Sequence, residues 1–193
     1  MKKIFLFLTA AVMIGCSDDD SSSNSTGGTS FNFDGTTYQL QPGMDMNMSE
    51  IIMSDVMEFN GETYDRSTLS VTGINGMSAS ATVSFDLYYK SGTSVAGTYT
   101  IYDNEADDTG DFEDFLATQE RGCMGWTSAG MAFTMGDGNM VSGNNPTGTV
   151  KVIVNSATNY TLIYEGNFRE YDGFDFVRNI PTNIHITSNV HQN

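Results

Sequence analysis

Three methionines alternate with other residues in the segment Gly-Met-Asp-Met-Asn-Met, at Met44, Met46 and Met48. Met53 and Met57 follow shortly after them. Thioether sulfur is a soft ligand that suits Cu(I), and alternate side chains of an extended chain point to the same side. Methionine is also a common filler of irregular cores and adaptable interfaces. The pattern predicts core or interface packing, with a copper site and a partner-docking methionine face as the alternatives.

Acidic side chains are concentrated in residues 103–114. Hard carboxylate oxygens at this density suit Ca²⁺. The EF-hand spacing fails, because a loop that begins at Asp103 has Asp108 rather than glycine at its sixth position. A loop that begins at Glu105 has Leu116 rather than glutamate at its twelfth. The segment predicts a solvated acidic loop, with an irregular structural Ca²⁺ site as the alternative, and no other cofactor is expected. The seven acids are Asp103, Glu105, Asp107, Asp108, Asp111, Glu113 and Asp114.

Residue types that support catalysis are sparse. The two histidines, His185 and His191, both lie near the end of the sequence, and we expect His185 to point outward from a strand and His191 to lie in a frayed tail. Cys123 has no histidine near it in sequence and is predicted to be a buried thiol. Glu165 is expected to share a strand face with Arg169, a possible ion-pair partner. No nucleophile elbow, paired-histidine motif or phosphate loop is present, so no catalytic residue is assigned, and the ligand-binding and metal-binding residues are unknown.

Aromatic side chains are the stronger indication of a binding surface. Tyr88 and Tyr102 fall on the strand faces opposite the apolar stripes, and Tyr171 and Phe174 flank a predicted Asp-Gly turn. Trp126 is the only tryptophan. Exposed rings on a β-surface can stack on sugars or on a partner protein. The alternative is that these rings pack beneath a loop or a second layer of the domain.

The beginning of the chain has the order of an export signal. Lys2 and Lys3 precede an apolar run, residues 4–14, which is too short for a membrane span of about 20 residues. Gly15 and Cys16 follow, and then a segment of Ser, Asp, Thr, Gly and Asn. The order predicts a signal peptide over residues 1–15, a polar tether over residues 16–30 and a single β domain over residues 31–193.

The junction at Cys16 resembles the lipobox of bacterial lipoproteins, with Met13 and Ile14 in places where that motif usually has smaller or leucine side chains. The resemblance implies that Cys16 is acylated after cleavage and carries the membrane anchor. The Ser-Asp-Asp-Asp sequence at residues 17–20 resembles the export signal of Bacteroidota surface lipoproteins. This resemblance implies lipid anchorage in the outer membrane, at the cell surface. The alternatives are a plain signal peptide with an incidental cysteine, and a generic tether on a protein that faces the periplasm.

The charge of the chain limits its partners. The formal net charge is −16, and the predicted leader removes two lysines and no acid, leaving 6 basic and 24 acidic residues and a charge of −18. Nucleic acid is not an expected partner, because its affinity comes from Lys and Arg on phosphates. Adhesion to anionic lipid is disfavoured for the same reason, so the anchor itself must hold the protein at the membrane. The remaining chain is long enough for one domain with its own core.

Alternating apolar residues predict β-strands through the body of the chain. The clearest pattern puts Ala81, Val83, Phe85, Leu87 and Tyr89 on one face of a strand. One hairpin is predicted from residues 81–90 and 97–102, a second from residues 148–154 and 160–168, and a tight hairpin turn at Asp34-Gly35. Residues 111–120 are the only helical candidate. The pattern predicts an all-β fold, an antiparallel β-sandwich or barrel of about 8–10 strands with at most one short helix.

Together these features predict a surface lipoprotein that is not an enzyme. We expect an accessory or binding module at the outer membrane, which binds a glycan or a partner protein of an outer-membrane complex. A glycan-acting hydrolase is one alternative, because acids are numerous and the separation of any carboxylate pair is not visible in sequence. The other is an extracytoplasmic metal-binding protein that uses the methionine cluster or the acidic loop.

Overall fold

A computed structural model describes residues 28–41, 47–76, 79–103, 112–131 and 141–192, without the side chains of residues 54–55 and 126–131. This part contains eleven strands and one helix. The elements in chain order are β1 (Ser30–Phe33), β2 (Thr36–Gln39), β3 (Met48–Phe59), β4 (Glu62–Asn75), β5 (Ala79–Lys90), β6 (Gly97–Ile101), α1 (Phe112–Thr118), β7 (Arg121–Met131), β8 (Val141–Gly143), β9 (Thr149–Ser156), β10 (Asn159–Asp172) and β11 (Asp175–Gln192).

The strands form one continuous, mostly antiparallel sheet with a sandwich-like arrangement. Eight of them pair in a closed circuit: β3, β4, β5, β7, β6, β9, β10, β11 and back to β3. The β11–β3 and β6–β7 pairings are parallel and short. The β1–β2 hairpin joins two strands of the circuit, because β1 pairs with β11 and β2 pairs with β4. Strand β8 pairs with β7. The predicted all-β class with at most one short helix is confirmed. The predicted hairpin of residues 81–90 with 97–102 was wrong, because β5 pairs with β4 and β7 while β6 pairs with β9 and β7.

The main core lies inside this circuit. The predicted stripe of β5 is buried along its length, and Phe85 contacts the rings of Tyr164 and Phe168 on β10, with ring centroids 5.0 and 5.9 Å apart. Cys123 belongs to the same core, and desolvation by burial raises the pKa of its thiol well above the ordinary value. The prediction that Cys123 is a buried thiol is therefore confirmed.

A second, smaller cluster lies on the outer side of the sheet, beneath α1. Phe115 and Leu116 of α1 pack there on Tyr64 of β4 and Tyr88 of β5. The Tyr64 hydroxyl donates a hydrogen bond to the Leu116 carbonyl oxygen, 3.0 Å away. The helix therefore closes over one part of the sheet face that alternation alone marks as exposed.

Turn chemistry fixes the tight hairpins. Asp34 and Gly35 both have positive φ, 52° and 74°, as a type I′ turn requires. The predicted Asp-Gly hairpin is confirmed, with Phe33 paired with Thr36 across it. At the β10–β11 turn, Gly173 has a φ of 65° and is the first of two loop residues, a position that favours glycine because other residues are strained there.

Truncating Phe85 to alanine removes a ring at the centre of the core. We expect Phe85→Ala to lower the free energy of unfolding by about 3–5 kcal/mol, because a large cavity replaces buried aromatic contacts. Urea unfolding measures the change. Phe174→Ala is the matched control, since that ring is fully exposed, and we expect a change within about 0.5 kcal/mol. Equal losses in the two variants would contradict this account of the core.

Candidate functional site

The β10–β11 hairpin ends in an exposed apolar tip. Asp172 pairs with Asp175, so Gly173 and Phe174 form the turn. Phe174 is fully exposed, and Phe176 and Val177 are each 53% exposed. Tyr171 meets Phe176 edge-on, with ring centroids 6.2 Å apart. We call Tyr171, Phe174, Phe176 and Val177 the hairpin tip; exposed apolar groups grouped in this way mark interaction surfaces.

Arg178, at the base of the hairpin tip, forms an ion pair with Asp34 in the β1–β2 turn. Its Nη1 and Nη2 donate hydrogen bonds to the two carboxylate oxygens of Asp34, at 2.6 and 2.8 Å, and its Nε donates to Glu170 Oε2 at 2.6 Å. Bidentate pairs of this kind fix orientation as well as adding energy. The hydrogen bond from Arg178 lowers the pKa of Asp34 below its usual value. The contribution of the pair is therefore present at neutral pH and is lost only as the pH falls through that lowered pKa.

A polar groove lies further along the same hairpin, on the outward face of β1, β11 and β10. Its volume is about 520 Å³. Asn183 of β11 pairs with Glu165 of β10 and with Asn32 of β1, so the three strands bring their side chains together. The carboxylate of Glu165 and the side-chain amides of Asn167 and Asn183 make no hydrogen bond to any described residue. We call this the amide groove; it is lined by Asn32, Glu165, Gly166, Asn167, Pro181, Thr182 and Asn183.

The predicted aromatic surface is only partly correct. Tyr88 is buried, and its ring meets Phe112 of α1 with centroids 4.7 Å apart. Tyr102 packs on Phe112 and Phe115, at 5.3 Å from each. For both tyrosines the structure agrees with the second interpretation, that the rings pack beneath another layer of the domain, which here is α1. Of the other candidates, Phe174 and Tyr171 lie at the hairpin tip, and the side chain of Trp126 lies outside the described residues.

The methionines do not share one environment. Met48 is fully buried in the main core, which confirms the packing prediction at this position. Met57 is partly buried beneath α1, and Met53 is exposed on β3. Met44 and Met46 lie outside the described residues. The thioether of Met48 is therefore buried in the main core.

Asp103 begins the predicted acidic loop and is held by Arg169. The guanidinium donates two hydrogen bonds to the carboxylate, at 2.7 and 2.8 Å, with both side chains largely buried. Arg169 therefore pairs with Asp103 rather than with Glu165. Glu113 and Asp114 lie in the first turn of α1, where the helix dipole favours negative charge. Residues 104–111 lie outside the described residues, and among those described no three His, Cys, Asp or Glu side chains gather as a metal site.

Neither histidine belongs to the hairpin tip or to the lining of the amide groove. His185 is exposed on the outward face of β11, as predicted. His191 is also exposed, but it pairs with Ser49 of β3 and so continues the strand. The prediction of a frayed tail at His191 was wrong because β3 extends the pairing to Gln192.

A buried carboxylate that the sequence did not indicate lies where β11 meets β3. Glu50 is buried and accepts hydrogen bonds from the Tyr160 hydroxyl and from Gln192 Nε2, each at 3.0 Å. Burial, and then the negative charge of Glu50, raise the pKa of Tyr160 to about 12. Tyr160 therefore stays protonated and can donate to Glu50. The three side chains close the end of the core at this point.

The single helix of the described part, seven residues long, is too short to cross a bilayer, and no other helix is present there to do so. No protein-family model matches this chain, and neither the curated proteins nor the solved structures include a significant match.

Proposed function

We propose that this chain is a lipid-anchored protein of the outer-membrane surface that acts by binding a partner protein, without catalysis. The anchor rests on the lipobox-like junction at Cys16 and on the acidic patch that follows it. The observation that carries the binding role is the hairpin tip, with a fully exposed Phe174 on a hairpin that Arg178 braces at its base.

The position of the hairpin tip suits a partner away from the membrane. On the Cys16 side, the described part of the chain begins at Gly28, whose N–H donates to the His185 carbonyl oxygen, 2.7 Å away. Phe174 lies twelve positions before Ile186, the bridge partner of Gly28. At about 3.3 Å per residue this is about 40 Å along the hairpin. The first described residue, Gly28, thus lies beside β11 at about 40 Å from the tip.

The chemistry of the hairpin tip suits a protein surface. Aromatic residues and arginine are enriched where interfaces bury most of their energy, and Phe174, Phe176 and Arg178 all belong to this end of the hairpin. Asp172 and Asp175 flank the turn, and Glu170 pairs with Arg178. Anionic lipid is a poor alternative occupant, because the tip carries more acids than basic residues.

The amide groove supports a second candidate function, the binding of a neutral glycan. Planar amides and a carboxylate can each hydrogen-bond to sugar hydroxyls, and in the groove these groups converge from three paired strands. Glu165 is the charged side chain of the groove, so an anionic sugar would be repelled. A neutral oligosaccharide is the ligand that fits this set of donors and acceptors.

The lipid anchor is tested by Cys16→Ser in the full chain, expressed in a Bacteroidota host. We expect the unchanged protein to incorporate labelled palmitate and to fractionate with the outer membrane. The variant should lose both properties, because the acyl chains that hold the protein at the membrane can no longer be attached at position 16. A variant that keeps the label or remains membrane-bound would contradict the anchor.

The partner is tested by placing a photo-reactive benzoylphenylalanine at position 174 of the full lipidated chain. We expect irradiation of intact cells to yield a single cross-linked outer-membrane protein, because the ring at this position is fully exposed. Excess unlabelled Cys16→Ser chain should suppress the product. A competitor that also carries Phe174→Ser and Phe176→Ser should be about tenfold less effective. Suppression by both competitors alike would contradict the role of the tip.

The control places the same photo-reactive residue at Lys151, an exposed position on β9. It should not capture the protein found at position 174. Equal capture from both positions would mean that proximity at the membrane, and not the hairpin tip, produced the product.

The glycan candidate is tested on an array of neutral oligosaccharides with the full chain and its Asn183→Ala variant. We expect the variant to bind its best oligosaccharide about tenfold more weakly, the cost of one or two lost hydrogen bonds. Phe174→Ser should bind as well as the unchanged chain. No binding to any neutral glycan, or equal binding by Asn183→Ala, would exclude this use of the groove.

A further inference from the structure

Strand β3 has a partner along only part of one edge. On one side it pairs with β4 from Met48 to Phe59, with a bulge between Met53 and Met57. On the other side it pairs with β11 only at residues 48–50. From Ile51 to Phe59 no strand of the described part of the chain pairs with this second side. We call this segment the free edge of β3.

The side chains of the free edge are unusually apolar for an exposed strand. Native proteins usually protect such edges with lysine, proline, charge or a bulge, because unpaired N–H and C=O groups accept another strand. Strand β3 contains no lysine, arginine or proline; its protective features along this segment are the bulge and two acids, Asp55 and Glu58. The exposed fractions are 45% for Ile51, 54% for Ile52, 38% for Met53 and 60% for Val56.

The free edge continues the line of β11. Gln192 of β11 is held in place, since its Nε2 donates to Glu50 Oε2 at 3.0 Å and to the Tyr160 hydroxyl oxygen at 3.2 Å. The pairing of β11 with β3 reaches Glu50, and Ile51 is the next residue along β3. An extended segment of about nine residues, about 30 Å long, would match the length of Ile51–Phe59.

The charges around the free edge favour a basic occupant. Glu58 lies on β3 itself and is exposed, and Glu62 follows at the start of β4. The cations closest in the sheet already have acidic partners: Arg66 pairs with Asp86, and Lys90 lies 3.5 Å from Glu62. A second copy of this chain is a poor occupant, because each copy carries a net charge of −16.

We propose that the free edge of β3 binds an extended segment of a partner protein by strand addition, and that this segment alternates apolar residues with Lys or Arg. The main-chain groups of β3 supply the hydrogen bonds, and Ile52 and Val56 contact the apolar residues of the added strand. This mode of recognition needs an exposed sheet edge and an extended peptide. The site is separate from the hairpin tip, which lies at the opposite end of β11.

The test uses the full chain in mild detergent and a fluorescent peptide of about ten alternating Val and Lys residues. We expect saturable binding by anisotropy and slower amide hydrogen exchange confined to residues 51–59. Ile51→Lys combined with Ile52→Lys should weaken binding at least about tenfold, because lysine on an edge opposes pairing. Both side chains are exposed, so the variant keeps its core. Phe174→Ser is the matched control and should bind the peptide unchanged, which separates this site from the hairpin tip.

Two further peptides test the mode of binding without changing the protein. A Val/Glu peptide should bind at least about tenfold more weakly at low salt, and a Val/Lys peptide with alternate amides N-methylated should not bind. Equal binding of all three peptides, exchange protection outside residues 51–59, or undiminished binding by the double variant would each overturn the proposal. A dimer that forms in the absence of peptide and dissociates in the double variant would also overturn it, because the occupant would then be a second copy.

Discussion

The pairing of β11 with β10 is the interaction on which the rest of the structure depends. It runs from Asp175 back to the far end of β11 as a nearly unbroken antiparallel ladder. Inward side chains of β11, among them Ile180, Ile184 and Ile186, are fully buried in the main core. The same strand also pairs with β1 and β3, so it holds one side of the closed circuit together. The free edge of β3 lies beside one end of β11, the hairpin tip lies at the other end, and the amide groove lies between them.

Three arginines of this acidic chain form ion pairs within the fold. Arg66 pairs with Asp86, Arg169 with Asp103, and Arg178 with Asp34 and Glu170. The pairs with Asp86, Asp103 and Asp34 join residues that are distant in sequence. The contacts with Asp103 and Asp34 are bidentate, a geometry that makes them directional. Since few basic groups remain for partners, the surface is left strongly acidic. That balance favours partners that are apolar or basic, at both the hairpin tip and the free edge of β3.

Local pattern predicted the elements whose burial follows simple alternation. The stripe of β5, the β9–β10 hairpin, the Asp34-Gly35 turn and the short helix were all visible in the sequence. The full length of β11 was not, because polar residues such as Thr182 interrupt the apolar alternation outside residues 183–187, and there the strand depends on its pairing with β10. Alternation alone left the burial of Tyr88 undecided, since it depends on α1, which follows more than twenty residues later. The hairpin tip could be predicted only in part. Tyr171 and Phe174 flank a turn signal in the sequence, but the exposure of Phe176 and Val177 depends on how far the hairpin extends.

The central claim is that the protein meets its partner through the hairpin tip while its lipid anchors the other end. Amide hydrogen exchange of the full chain in native outer-membrane vesicles, compared with the same chain extracted in detergent, tests it most directly. The account predicts that residues 171–178 exchange more slowly in the vesicles, while the core strands, whose amides open only with larger unfolding, exchange equally in both. Unchanged exchange at residues 171–178, with slowing elsewhere on the surface or nowhere, would contradict it.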